Sequence, residues 1–250
     1  MATTRSGRVS GTVTDRLPMW RSRRKRSARS RGSATSAARR SRTAGVSIRR
    51  TGWKGKVPDG CKGPCKTHSV DLIKTVYHDG RGAGFIANID KGDDLGNRDG
   101  RRVRITKVLL RGKVWLDVTN AALPGSNVCK VWIIKDRRPG NEIVNFTSLM
   151  DMTDSEPMSA LIKMDYRDRF IVLRDMQFDL HGGKDFRVDE ASMDEMISVN
   201  CDSLFSHEDE GNLSHCLENG ILVYFACSDP RNAMQITAQC RVYFFDSTVN

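Results

Sequence analysis

Three observations place this 250-residue chain in the all-β class, as an antiparallel sandwich or barrel that carries a flexible basic N-terminal arm. Its long apolar segments alternate with a period of two and are rich in β-branched and aromatic residues. Gly, Pro and Asp clusters at irregular spacing separate them as turn signals. The charge, finally, is divided. Residues 1–56 hold 17 Lys and Arg against one acid, Asp15, whereas residues 57–250 hold 24 bases and 29 acids. The net +11 is therefore a +16 arm on a −5 body. Self-repulsion and a lack of apolar residues keep such an arm from folding by itself.

The arm reads RSRRKRSARSR over residues 21–31, SAARRSR over 36–42 and SIRR over 47–50, with Lys25 the only Lys before Lys54. Arg makes two-pronged hydrogen bonds to phosphate and stacks on bases, where Lys acts as a point charge. The expected DNA-binding set is Arg21, Arg23, Arg24, Lys25, Arg26, Arg29, Arg31, Arg39, Arg40, Arg42, Arg49, Arg50 and Lys54. Its binding should ignore base sequence and weaken steeply with salt. Trp20 and Trp53 bracket it and offer stacking surfaces worth about 1–3 kcal/mol per unpaired base. The RRKR run at residues 23–26, with Arg39, Arg40 and Arg42 downstream, also has the form of a nuclear localisation signal. An organelle presequence and a merely solubilising tail are the bland alternatives; apolar residues at helical spacing are nearly absent, which disfavours the first.

The expected body spans residues 57–250. Residues 57–100 are dominated by turn signals such as PDGCKGPC and HDGRGAG. Val103–Asp117 alternates well, with a slip of phase near Arg111–Gly112 that predicts a bulge or corner between two strands. Val128–Lys135, Arg169–Leu180 and Met234–Asp246 follow as strands. Ile221–Ser228 is apolar at nearly every position, as expected of a strand covered on both faces. Helical signals are confined to a turn or two at Ser148–Met152 and Ala191–Ile197. No run approaches the ~18 apolar residues of a bilayer span, so no membrane association is expected.

Cys61, Cys65, His68 and His78 lie within 18 residues and offer two thiols and two imidazoles. Zinc, a reduced loop pair and a disulfide all remain open from the spacing alone. Seven cysteines is an odd number, and no secretory signal precedes them; a reducing intracellular compartment is expected. His207-Glu208-Asp209-Glu210 is a weaker metal candidate beside the simpler reading of a solvated loop. Asp136-Arg137-Arg138 and Asp165–Arg169 interleave both signs, as ion-pair clusters at strand ends or subunit contacts do. The sequence carries no P-loop, G-x-S-x-G or G-x-G-x-x-G, and no catalytic set is expected.

GCKGPCK at 60–66, RGKVWLD at 111–117, VWIIKDRRPG at 131–140, DYRDRFIVLRD at 165–175, HGG at 181–183, ENGILVYFACS at 218–228 and RVYFFDSTVN at 241–250 together resemble the coat proteins of geminiviruses. These are plant viruses with circular single-stranded DNA. The resemblance implies an eight-stranded jelly roll, pentameric capsomers in a twinned icosahedral capsid, and an inward arm that binds single-stranded DNA. It also implies nuclear import signals on Arg23, Arg24, Lys25, Arg26, Arg39 and Arg40, with a host importin as partner and the virion and host nucleus as locations. An insect-vector receptor would meet outward loops. Whitefly-borne relatives often carry a finger-like Cys–Cys–His–His set. Cys61, Cys65 and His78 fall on three of its positions, but Lys74 stands at the fourth and is no ordinary zinc ligand. A nuclear shuttle protein of related viruses, or a cellular nucleic-acid-binding protein, is the alternative.

Overall fold

The structure, a computed structural model of the chain, describes residues 56–116, 126–152, 155–181 and 190–249. These are mostly strand: β1 (Cys61–Val76), β2 (Gly84–Phe85), β3 (Arg102–Leu116), β4 (Ser126–Asp136), β5 (Met150–Asp151), β6 (Leu161–Ile162), β7 (Phe170–His181), β8 (Glu190–Phe205), β9 (Cys216–Glu218), β10 (Gly220–Cys227) and β11 (Met234–Ser247). One sheet has the order β1-β11-β3-β8-β9 and the other β2-β10-β4-β7, while β5 and β6 make a two-stranded ribbon. Every strand pair is antiparallel. Setting aside the separate β5–β6 ribbon and the outermost β9 leaves eight strands, of which β2 is only two residues long. In chain order one sheet then reads first, eighth, third, sixth, and the other second, seventh, fourth, fifth. That interleaving is a jelly roll, so β5, β6 and β9 are additions to the expected eight.

Alternation builds the core between the sheets. Val103, Ile105, Val108, Leu110 and Val114 of β3 point inward with Ile236, Cys240, Val242 and Phe244 of β11, against Val131, Ile133, Val223 and Phe225 of the second sheet. A second core lies on the outer side of that second sheet. Trp132 and Ile134 of β4 and Leu222, Tyr224 and Ala226 of β10 are covered there by Phe146, Leu149, Met150, Ala160 and Phe170. Phe170 opens β7, and the other covering residues belong to the β4–β7 connection, which holds a short α-helical turn (Phe146–Leu149), two 3-10 turns (Pro157–Ser159 and Met164–Tyr166) and the β5–β6 ribbon. All eight residues of β10 are buried, which explains its apolar sequence.

Phe146 is the keystone of this cover. Its ring lies 5.0 Å from that of Trp132 and 6.2 Å from that of Tyr224, and the Tyr224 hydroxyl donates to the Val144 carbonyl at 2.9 Å. Gly80 makes room for it. A Cβ there would come within 2.3 Å of the Phe146 ring, at a backbone φ of +68°.

Four expectations need correction. The first 16 residues from Cys61, expected as part of a loop region, form strand β1 along β11. Ala191–Ile197, expected as helix, lies inside strand β8. The helical turn expected at Ser148–Met152 sits at Phe146–Leu149 and gives way to β5. Lastly, β3 is one unbroken strand whose bulge falls between Ile105 and Lys107. Inward positions are odd up to Ile105 and even from Thr106 onward, so the parity changes there. Gly112 keeps regular register opposite Ala238; its lack of a side chain only imitates a break, and a Cβ would meet the Thr237 carbonyl oxygen at 2.2 Å.

Candidate nucleic-acid and assembly surface

The expected DNA-binding and import residues (Arg21, Arg23, Arg24, Lys25, Arg26, Arg29, Arg31, Arg39, Arg40, Arg42, Arg49, Arg50 and Lys54) lie outside the described residues. The described chain begins where they lead into the body. Residues 56–60 make a turn closed by the Cys61 amide on the Pro58 carbonyl at 3.2 Å. The Gly60 carbonyl then accepts from the Thr248 amide at 2.9 Å and from the Thr248 hydroxyl at 3.0 Å. Cys61 pairs with Ser247, so the start of β1 is bound to the end of β11.

A buried ion cluster fixes the same end of the sheet. The Lys66 ammonium donates to the Asn97 carbonyl at 2.8 Å and to Asp99, and it pairs with Asp246 at 2.9 Å. Asp246 is only 2% exposed and also accepts from the Asp99 amide at 2.9 Å. Burial alone would lower the pKa of Lys66; its hydrogen bonds to the Asp99 and Asp246 carboxylates outweigh it and hold the ammonium above its ordinary value. Nearby, the guanidinium of buried Arg98 donates to the carbonyls of Ile89 (3.1 Å), Gly100 (3.0 Å) and Glu208 (2.6 Å) and lies 4.8 Å over the Phe205 ring. It ties the 89–100 loop to the 206–211 loop.

The outward face of the β1-β11-β3-β8-β9 sheet carries the body's most regular charge pattern. Register places Arg104 opposite Asp202, and Arg111 opposite Asp194. Arg104 grips Asp202 with two hydrogen bonds of 2.8 Å. Arg111 holds Asp194 at 2.8 Å, and Lys113 reaches Glu190 at 2.8 Å. On β11, Arg241 donates to the Ser69 hydroxyl at 3.1 Å. Exposed pairs of this kind contribute about 0–1 kcal/mol each, so their value lies in where they hold charge. At the end of the other sheet, Arg169 binds Asp136 through bonds of 2.9 and 2.8 Å. The mixed-sign clusters noted in the sequence are thus bonded within the chain: Asp136 also accepts from the Arg138 amide at 3.0 Å, and Arg137 donates to the Asp168 carbonyl at 3.2 Å.

The expected metal set is not brought together. Cys61 opens β1 and His78 lies beyond its far end, with an extended strand of roughly 3.3 Å per residue between them. His78 instead donates through Nδ1 to the Cys227 carbonyl at 3.0 Å, while His68 Nε2 faces Asn88 at 3.2 Å. Burial pushes the Cys65 thiol up to about 12. In the acidic loop Asp209 pairs with Lys91 at 3.1 Å, and Glu210 accepts from Asn212 at 2.6 Å. Among the described residues no three His, Cys, Asp or Glu side chains gather as metal ligands do.

Residues 3–250 match the family model of the geminivirus coat protein/nuclear export factor BR1 family. The chain is similar to the capsid protein of Abutilon mosaic virus (isolate West India), at 32% identity over 203 residues, or 81% of this chain and 80% of that one. It is equally similar to the capsid protein of Cabbage leaf curl virus (isolate Jamaica), with the same identity and coverage. The capsid protein of Pepper huasteco yellow vein virus is 32% identical over 194 residues, covering 78% and 77%. A solved structure of infectious bursal disease virus, Gx strain, aligns over 78% of this chain and 42% of its own at a TM-score of 0.21 and 8% identity, too slight to bear on the fold.

Proposed function

This chain belongs to the geminivirus coat protein/nuclear export factor BR1 family, and we propose on that premise that it packages single-stranded DNA through residues 1–56 while its sandwich tiles the shell. The structural role of a capsid protein, self-associating in the virion, is what its relatives carry. The observation behind the finer reading is the charge division, +16 on the arm against −5 on the rest. An Arg-dominated polycation neutralises phosphate without reading bases. A mildly acidic body with bonded surface charges limits the repulsion between neighbouring copies. The shell is a twinned icosahedral capsid of pentamers, with the arm turned inward.

Import into the host nucleus rests on Arg23, Arg24, Lys25, Arg26, Arg39 and Arg40 binding a host importin, and outward loops meet a receptor in the insect vector. The nuclear export branch of the family is the competing role; the arm's RRKR run favours it as much as it favours the coat protein, and the capsid relatives favour the coat protein.

Removing residues 1–50 should abolish salt-sensitive binding to single-stranded DNA in a mobility-shift titration and leave a folded β-rich body by circular dichroism. Undiminished binding by that truncation overturns the role given to the arm. Electron microscopy of the full chain with DNA separates the two branches, since paired particles form only if it is the coat protein.

A further inference from the structure

Cys129 on β4 and Cys227 on β10 stand directly opposite each other. Antiparallel partners alternate between hydrogen-bonded and non-hydrogen-bonded pairs, and the latter sit closer. The Ser228 amide donates to the Val128 carbonyl at 2.9 Å, whereas the Cys227 amide turns away from β4 to the Tyr77 carbonyl at 3.3 Å. Cys129 and Cys227 therefore form the non-hydrogen-bonded kind, with Cα atoms about 4.5 Å apart and Cβ atoms about 4.5–5.5 Å apart. A disulfide requires Cα separations of about 4.4–6.8 Å and Cβ separations of about 3.5–4.5 Å, so a small closing shift suffices. Both side chains face the core between the sheets. Among the described residues no other two of the seven cysteines are register partners.

We propose that Cys129 and Cys227 form a cross-strand disulfide when the folded body meets a disulfide oxidant such as oxidised glutathione. One protein thiolate attacks an oxidant sulfur and expels one reduced glutathione. The second thiolate attacks the resulting mixed disulfide at the protein sulfur and expels the other. The protein loses two protons and two electrons; the oxidant takes up both. Cys227 is the last residue of β10 but only 1% exposed, and its thiol donates to the Val76 carbonyl at 3.5 Å and the Asp229 carbonyl at 3.7 Å, so the oxidant reaches it when that strand end opens locally. Burial raises both thiols, Cys227 to about 11. The reaction is accordingly slow at neutral pH and quickens as pH rises. The protein made in a reducing interior keeps two thiols, and the same protein in an oxidising medium gains a staple across about 100 residues, a loop long enough that such a bond restricts the unfolded chain more than a short-range one would. The inference is independent of DNA binding.

The test uses the full chain, held with oxidised glutathione at mildly alkaline pH and compared with a sample held in reductant. Peptide mapping without reduction should show the Cys129 and Cys227 peptides joined and lighter by two hydrogens. The melting midpoint should rise by about 10 °C and fall back with reductant, and Cys129→Ala or Cys227→Ala should abolish both effects. Recovery of both thiols free after the other cysteines have oxidised overturns the proposal, as does their joining to different partners. If either variant fails to fold, the peptide map of the unaltered chain decides alone.

Discussion

The two sheets obey the same alternation and meet opposite fates on their outer sides. On the sheet containing β3, outward residues stay in water as Arg104, Arg111 and Lys113 with their acid partners. On the sheet containing β10, outward residues are Trp132, Leu222 and Tyr224, sealed under the β4–β7 connection. A strand's sequence thus reports how many of its faces are covered, and the cover can come from a connection built only of short turns and a two-stranded ribbon. The bare face stays in water; the sealed face fixes the fold.

That contrast predicts a gradient of mutational cost. Phe146→Ala should be the most damaging, destabilising the body by about 3–5 kcal/mol in chemical denaturation, because it empties the keystone of the second core. A cost below 1 kcal/mol would mean that the cover is not needed. Lys66→Met should come next, at up to about 3–5 kcal/mol, since Asp246 would remain buried without its partner. The sign of its pH dependence follows from the raised pKa of Lys66. The pair's contribution is complete below the ordinary lysine value of 10.5 and is lost as pH climbs through the folded value. Unfolding followed up the alkaline side should show this loss in the parent and not in Lys66→Met. On the bare face, Ile73→Thr should shift stability by no more than about 0.5 kcal/mol, Ile73 being 71% exposed. Arg111→Gln should leave the denaturation midpoint where it was; a clear drop would show that the charge pattern supports the fold as well as the surface.

Strands that bury a clean alternation were legible from the residues. β4, β7, β10 and β11 fall within two residues of their expected limits, and β3 lies where expected apart from its bulge. The two long strands that were missed, β1 and β8, failed for different reasons. β1 is an edge strand, and its inward row includes Lys66, His68 and Lys74, opposite Phe244, Val242 and Ile236. Polar residues near an open edge erase the period that the core would write. β8 carries Met193, Met196 and Ile197 at helical spacing, but register sends Met193 and Ile197 inward with Gly112 and Val108 while Met196 sits outward, half exposed. Cys61 and His78, near each other in sequence, are drawn apart because closeness in sequence becomes distance along an extended strand. The partnership of Cys129 with Cys227 depends on the register between β4 and β10, which no spacing along the chain discloses. Buried cysteines inside strands did behave as small apolar residues, as Cys240 does.

The stitching of Gly60 to Thr248 has a practical corollary. Because the leader-proximal turn and the last strand emerge shoulder to shoulder, a reporter peptide spliced beside Val57 and another grafted after Thr248 would decorate one and the same side of a subunit. An antibody raised to either label would then tell, on intact particles, which wall of the shell that side belongs to.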